Sequence, residues 1–256
     1  MARILGLQKG IIYGPVKSRR LGRSLGINLM PTEYKLCSFN CIYCHYGWTK
    51  YLKTDMTEHV GDLPTVTEVE EALERALSTI TPPPQYVTFS GNGEPTLHPD
   101  FDAIVEAVMA VKKRSGIDAK VAVLSNSTGA TVEKVRRALA KLDVRIMKLD
   151  AGTDASLERV NRPAQGISLD SIVEGLRQLG QVTLQSFFAH GEVSNAEDDD
   201  VQNWLARIRE IKPVYVQVYS IENPPAMSTL VGVPAERLRE IAEQVKGLTG
   251  IEAGAY

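Results

Sequence analysis

Three cysteines, Cys37, Cys41 and Cys44, lie within eight residues of one stretch, "LCSFNCIYCHYG", and are the only cysteines in the chain. Thiolates at this density hold metals. Read from Cys41, the stretch is C-I-Y-C-H, the pattern that attaches a c-type haem, with His45 as axial ligand. That reading leaves Cys37 idle and calls for export, for which the amino-terminal sequence carries no signal. A structural zinc ion needs four ligands, commonly from two paired clusters. Only His45, His59, His98 or His190 could complete such a set, and the second pair is missing. Both readings describe a binding module without catalysis. An iron–sulfur cluster suits three thiolates on one loop best. A [4Fe–4S] cluster so held leaves one iron open to a substrate or cofactor.

A second motif follows a strand-like run in "VTFSGNGEPTLHPDF", which contains Gly91, Asn92, Gly93, Glu94 and Pro95. Two glycines let a backbone approach a ligand closely, and Glu94 can pair with an ammonium group. A glycine-rich turn before a helix explains the glycines but not the Glu-Pro beside an upstream cysteine triplet.

Taken together, C-x3-C-x2-C after a first strand, the aromatic Tyr43 before the third cysteine, and Gly-Asn-Gly-Glu-Pro resemble the radical S-adenosylmethionine (radical SAM) enzymes. Their Gly-Gly-Glu motif here carries Asn92 as an inserted variation. The similarity extends over the whole chain and is greatest to small Fe–S oxidoreductases related to the wybutosine-synthesis branch, including the lead-in "YGPVKSRRLGRSLGINLMP". Archaeal wybutosine enzymes carry extra cysteines for a second cluster. This chain has none, so a tRNA-modifying role does not carry over with the resemblance.

The resemblance implies a [4Fe–4S] cluster on Cys37, Cys41 and Cys44, with S-adenosylmethionine on the open iron. Reductive cleavage would give methionine and a 5′-deoxyadenosyl radical that abstracts hydrogen from a small molecule, peptide or modified nucleoside. It implies cofactor contacts at Tyr43, Gly91, Asn92, Gly93 and Glu94, the last on the methionine ammonium. Strand-end residues Ser125, Asn126, Asp150 and Ser186 are further cofactor candidates, Asp150 for a ribose. A helix N-cap explains Ser125 equally well. With no second redox site, an external one-electron donor of flavodoxin or ferredoxin type is implied.

Substrate candidates come from polar residues expected at strand ends or inside the sheet. Gln185 and His190 follow the fifth strand; Gln217 and Tyr219 share one face of the sixth by strand alternation. Arg19 and Arg20, with Lys17, Arg23, Gly14 and Gly22, could form a phosphate- or carboxylate-binding loop near the mouth. A solvated basic surface is an even alternative.

The elements that must position these groups alternate regularly. Strands are expected at 24–30, 85–91, 120–126, 144–150, 182–188 and 214–220, apolar on consecutive positions as for strands covered on both faces. Helical periodicity falls between them: from a capping box at Thr67 and Glu70, over 99–113, at Val132–Leu142 and Leu169–Leu179, and near 198–211 and 235–247. Six β–α units predict an α/β fold, a (β/α)6 partial barrel of parallel strands with outer helices. One domain is expected over 1–256, with a lead-in at 1–23 and the cluster loop and its connection at 31–66.

Composition narrows the class further. Net charge is −2, from 29 basic and 31 acidic residues, so no global field favours nucleic acid, which stays possible but unfavoured. No run approaches the length of a membrane span, and three cysteines without an export signal predict a cytoplasmic protein.

Overall fold

The computed structural model describes residues 4–256; the first three positions of the expected 1–23 lead-in lie outside the described residues. Eight strands form the main sheet: β1 (Ile12–Ser18), β2 (Gly22–Ile27), β3 (Tyr86–Phe89), β4 (Lys120–Ser125), β5 (Val144–Lys148), β6 (Thr183–Phe187), β7 (Tyr215–Tyr219) and β8 (Ala253–Ala255). Their spatial order is their chain order. From β2 to β8 every pairing is parallel, while β1 runs antiparallel to β2.

Helices connect the strands: α1 (Val66–Thr79), α2 (Phe101–Ser115), α3 (Glu133–Leu139), α4 (Asp154–Val160), α5 (Leu169–Leu179), α6 (Asp198–Ile211) and α7 (Ala235–Thr249). The capping box of α1 is Thr65 with Glu68, two residues before the expected pair. Both pairs have the S/T-x-x-E spacing. The helix starts after Pro64 and gains an extra half turn.

Alternation along the strands separates two faces. Leu25, Ile27, Val87, Phe89, Val121, Val123, Met147, Leu184, Val216 and Val218 are buried in one apolar core with Val69, Leu73, Ile104, Val108, Leu176, Ile208 and Ile241 of the helices. The opposite face carries polar side chains among apolar ones such as Ile146 and Phe187. There Ser24 and Thr88 share a hydroxyl hydrogen bond of 2.7 Å, and Gln185 donates to Gln217 at 3.0 Å. The strands are therefore covered by helices on one face only, which corrects the two-face expectation.

Curvature follows from one side chain. Arg20, in the β1–β2 turn, donates to Glu222 beyond β7 at 2.6 Å. Its guanidinium lies 4.6 Å from the centroid of Tyr219 and 5.7 Å from that of Tyr256, next to β8. A flat sheet of eight strands at about 4.8 Å spacing would hold its edges about 34 Å apart. The sheet must curl until its edges nearly meet, although no ladder joins β1 to β8. It is a partial barrel.

The lead-in is thus the edge strand of this sheet and its hairpin turn, and not a loop. Gly14-Pro15 disguised it: the register shifts between Tyr13 and Val16, and proline is tolerated at a bulge on an edge strand. Gly26 is required opposite it, because a Cβ there would lie 2.2 Å from the Tyr13 ring.

Candidate active site

The cysteine loop crosses the carboxyl ends of the strands and is held on both flanks. Leu36–Cys37 pairs with Tyr51–Leu52 in a short parallel ladder. On the other flank, the segment after α4 runs antiparallel to the loop. Asn40 N–H donates to the Asn161 carbonyl at 2.9 Å, Ile42 N–H to Val160 at 3.0 Å, and Ala164 N–H to Ser38 at 2.8 Å. Cys44 N–H closes a turn on the Cys41 carbonyl at 3.2 Å.

All three cysteines are free, with Cys37 buried and the other two half-buried. Burial pushes the Cys37 thiol up to about 12 and the Cys41 thiol up to about 11. Side-chain amides point at two of the sulfurs: Asn126 Nδ2 lies 3.6 Å from Cys37 Sγ, and Asn161 Nδ2 lies 3.4 Å from Cys41 Sγ. The ammonium of Lys35 donates to the Gly47 carbonyl at 2.8 Å, and Gly47 N–H bonds the Cys44 carbonyl at 3.1 Å, so a cation is held beside the segment of the third cysteine. Two of the three thiols therefore have an amide N–H donor, which favours an anionic sulfur.

The glycine motif joins the second strand-to-helix loop to the first. A Cβ on Gly93 would fall 1.7 Å from the Leu36 carbonyl oxygen, so only glycine allows the two loops to pair there. Gly91 has φ +135° and packs on Asn28, whose Oδ1 accepts from Asn92 N–H at 2.9 Å. Asn92 is fully buried, and its amide ties the carbonyls of Gln8 and Pro31 together at 2.9 and 2.8 Å. Its side chain staples two segments, so the cofactor contact expected of it has no free group to make it.

Glu94 is also spoken for. Its Oε1 accepts from Thr96 N–H, Thr96 Oγ1 and Ser125 Oγ at 3.1, 2.6 and 2.9 Å, and its Oε2 from Asn126 N–H at 2.6 Å. Burial raises its pKa, opposed by these donors. The carboxylate expected to bind an ammonium group caps the short 3-10 turn Pro95–Leu97 and orients Ser125 and Asn126, with Oε2 taking a single donor. Asn126 in turn reaches Cys37 and, at 2.9 Å, Ser38 Oγ.

Asp150 is the centre of the other side. Oδ1 accepts from Lys148 Nζ at 2.9 Å and Phe187 N–H at 2.8 Å; Oδ2 accepts from Tyr43 Oη at 2.5 Å and Asn161 Nδ2 at 2.8 Å. Four donors satisfy its four lone-pair sites. Burial, then the neighbouring Asp150, raises the Tyr43 phenol well above its ordinary value and keeps it a proton donor. Burial acts to lower Lys148, but Asp150 and Tyr219 outweigh it and hold the ammonium charged. Tyr43 stacks on Phe187 with centroids 4.0 Å apart, and Lys148 Nζ donates to Tyr219 Oη at 2.6 Å.

Among the substrate candidates, Arg20, Gln185, Gln217 and Tyr219 come together on the polar face of the barrel. Lys148, Gln185 and Gln217 occupy one register row across β5, β6 and β7. Three other candidates lie apart from this row. Ser186 points outward, donating to the Leu149 carbonyl at 2.5 Å and accepting from Trp204 Nε1 of α6 at 3.2 Å. Arg19 is exposed and ion-paired with Glu222 at 2.9 Å. His190 sits in a separate two-stranded ladder with Val231 and faces Ser194 and Glu197 at 3.3 and 3.4 Å.

Lys35, Lys148 and Asn161 were missed as site residues. Lys35 was detectable, because it stands two residues before Cys37 in an extended run. Asn161 was not, because its partners are 11 to 120 residues away.

The donor set fits an iron–sulfur cluster better than a single ion. Among the described residues, no three His, Cys, Asp or Glu side chains converge as a single metal ion would need. A cluster asks for one thiolate per iron and no convergence on a point. His59 and His98 are engaged elsewhere, with Tyr34 and with Pro64 and Asp100, and His190 with Ser194.

A family model for the radical SAM superfamily matches residues 34–205. A "UPF0026 protein" of Helicobacter pylori is 31% identical over 217 residues, spanning 84% of this chain and 67% of its own length. Another, from Synechocystis, is 31% identical over 261 residues, with 94% of each chain covered. Among solved structures, a radical SAM methyltransferase from Sphaerobacter thermophilus superposes with a TM-score of 0.65 at 16% identity, over 91% of this chain and 65% of its own. SuiB of Streptococcus suis bound to S-adenosylmethionine gives 0.61 at 14% identity, over 90% and 50%. These two likenesses bear on the fold, and they share this partial barrel. The chain belongs to the radical SAM superfamily, and is an S-adenosylmethionine-dependent iron–sulfur enzyme whose cofactors are a [4Fe–4S] cluster and S-adenosylmethionine. Among the described residues, no helix is long and apolar enough to cross a membrane.

Proposed function

We propose that Cys37, Cys41 and Cys44 hold the cluster, and that a substrate bound against the polar barrel face near Lys148, Gln185, Gln217 and Tyr219 loses a hydrogen atom. When bound, the cluster and S-adenosylmethionine supply a reductive carbon–sulfur cleavage whose product is a hydrogen-abstracting carbon radical. The chain's own residues position and shield. Asn126 and Asn161 donate toward two sulfurs. Gly93 lets the glycine motif close against the cysteine loop, and the stack of Tyr43 on Phe187 covers the loop's barrel side. Glu94 acts through Asn126, holding its main chain at 2.6 Å, and so serves as a positioning residue.

The observation that carries this reading is the gathering of three thiols on one loop with amide donors on two of the sulfurs and a buried ammonium beside the third cysteine's segment. Residues 1–256 would work as one catalytic unit. Superfamily enzymes generally draw their electron from outside, here from a flavodoxin- or ferredoxin-class donor.

Anaerobic reconstitution tests the assignment. One cluster's worth of iron and sulfide should bind per chain, and reduction with S-adenosylmethionine should release 5′-deoxyadenosine. Cys41→Ala should lose both. A chain that takes up zinc but no iron would defeat the proposal.

A further inference from the structure

Lys35 is an unusual lysine. It is only 5% exposed, and its ammonium donates to the Gly47 carbonyl at 2.8 Å. Gly47 N–H in turn closes a turn on the Cys44 carbonyl at 3.1 Å, so Nζ is pinned to the segment that carries the third cysteine. Lys35 also stands two residues before Cys37, beside the short ladder with Tyr51–Leu52, and alternate residues of an extended run share a face. The groups whose charge would favour its ammonium are Cys44, Cys37 and Cys41, and among the described residues Lys35 makes no ion pair with a carboxylate.

A buried cation without a counter-charge is costly, and chains keep one only where something compensates it. Thiols do so poorly. Three thiolates bound to iron do so well, because the ligated cluster carries net negative charge that grows by one on reduction. A fixed positive charge in a low-dielectric pocket stabilises the more negative state more strongly. Hydrogen bonds and charges at the sulfurs are among the levers that set cluster potentials.

We propose that Lys35 is the built-in counter-cation of the cluster, raising its reduction potential so that an external one-electron donor can reduce it. The electron comes from that donor, and Lys35 exchanges no proton in the step. This rests on the assignment of the cluster to Cys37, Cys41 and Cys44.

Three substitutions separate charge from shape. Lys35→Gln keeps an N–H donor for the Gly47 carbonyl and drops the charge, Lys35→Met drops both, and Lys35→Arg keeps the charge. Each full-length chain is reconstituted anaerobically, its iron and sulfide are counted, and the cluster is titrated redox-potentiometrically without S-adenosylmethionine, followed by absorbance and electron paramagnetic resonance. The expected result is a midpoint shifted to more negative potential in Lys35→Gln and Lys35→Met, beyond replicate error, and near wild type in Lys35→Arg. Unmoved midpoints in both neutral variants would overturn the proposal, as would a Lys35→Arg shift as large as theirs. If neither neutral variant retains a cluster while Lys35→Arg does, the charge is needed for the cluster to persist, which supports it. If all three lose the cluster, the side chain serves by shape and the proposal fails. Failure of the wild-type chain to take up iron would instead defeat the cluster assignment itself.

Discussion

Two lysines flank the cysteine loop, Lys35 buried and Lys148 half-buried, and their surroundings differ completely. Lys148 has Asp150 at 2.9 Å and Tyr219 Oη at 2.6 Å, and Asp150 is filled by three more donors. Lys35 has a carbonyl and three sulfurs. The Lys148 side is complete in the protein alone, while the Lys35 side becomes electrostatically complete only when the sulfurs are anionic. One half of the site is a scaffold that folding finishes. The other half waits for the metal.

Breaking the finished side should have the largest effect. Asp150→Asn leaves the half-buried Lys148 without its partner, and the metal-free protein should lose about 3–5 kcal/mol in chemical denaturation. Adding Lys148→Met to that variant should recover part of the loss, because no stranded charge remains. Absence of recovery would mean that the pair is not the reason for the cost. A smaller loss, about 1–2 kcal/mol, is expected for Tyr43→Phe, which removes one of the four donors to Asp150 and keeps the stack on Phe187.

The unfinished side should show itself through pH. In the metal-free chain the folded Cys37 and Cys41 values are raised above the ordinary thiol value of 9.0, so folding favours the neutral thiols. Their contribution is complete below pH 9 and is lost as pH rises toward about 11 and 12. The denaturation midpoint should therefore be insensitive to these thiols near pH 7 and fall above pH 9. Replacing both cysteines with serine should flatten that decline, and an unchanged slope would assign it to other groups.

Much of this architecture can be read from the residues. The six inner strands are β-branched or aromatic runs, and five of the helices bury the stripes that their periodicity marks. The elements that escaped notice lack such runs. Gly14-Pro15 interrupts β1, and β8 is Ala-Gly-Ala, whose small residues carry no strand preference. In the site, residue types indicated the chemistry and not the partners. Asp150 and Glu94 are carboxylates near a cofactor position, but what saturates them comes from other loops. Only the fold brings Tyr43 to Asp150 across 107 positions, or Asn126 to Glu94 across 32.

The contact of Arg20 with Glu222 and Tyr219 also bears on how the barrel can be entered. Every other boundary in the wall is a main-chain ladder, and tearing one would strand N–H and C=O groups. Between β1 and β8 the wall is fastened by side chains, like a clasp on a seam. Releasing that clasp exposes the Arg20–Glu222 ion pair and the faces of Tyr219 and Tyr256 to water and leaves every ladder intact. It is the least costly place for the wall to part.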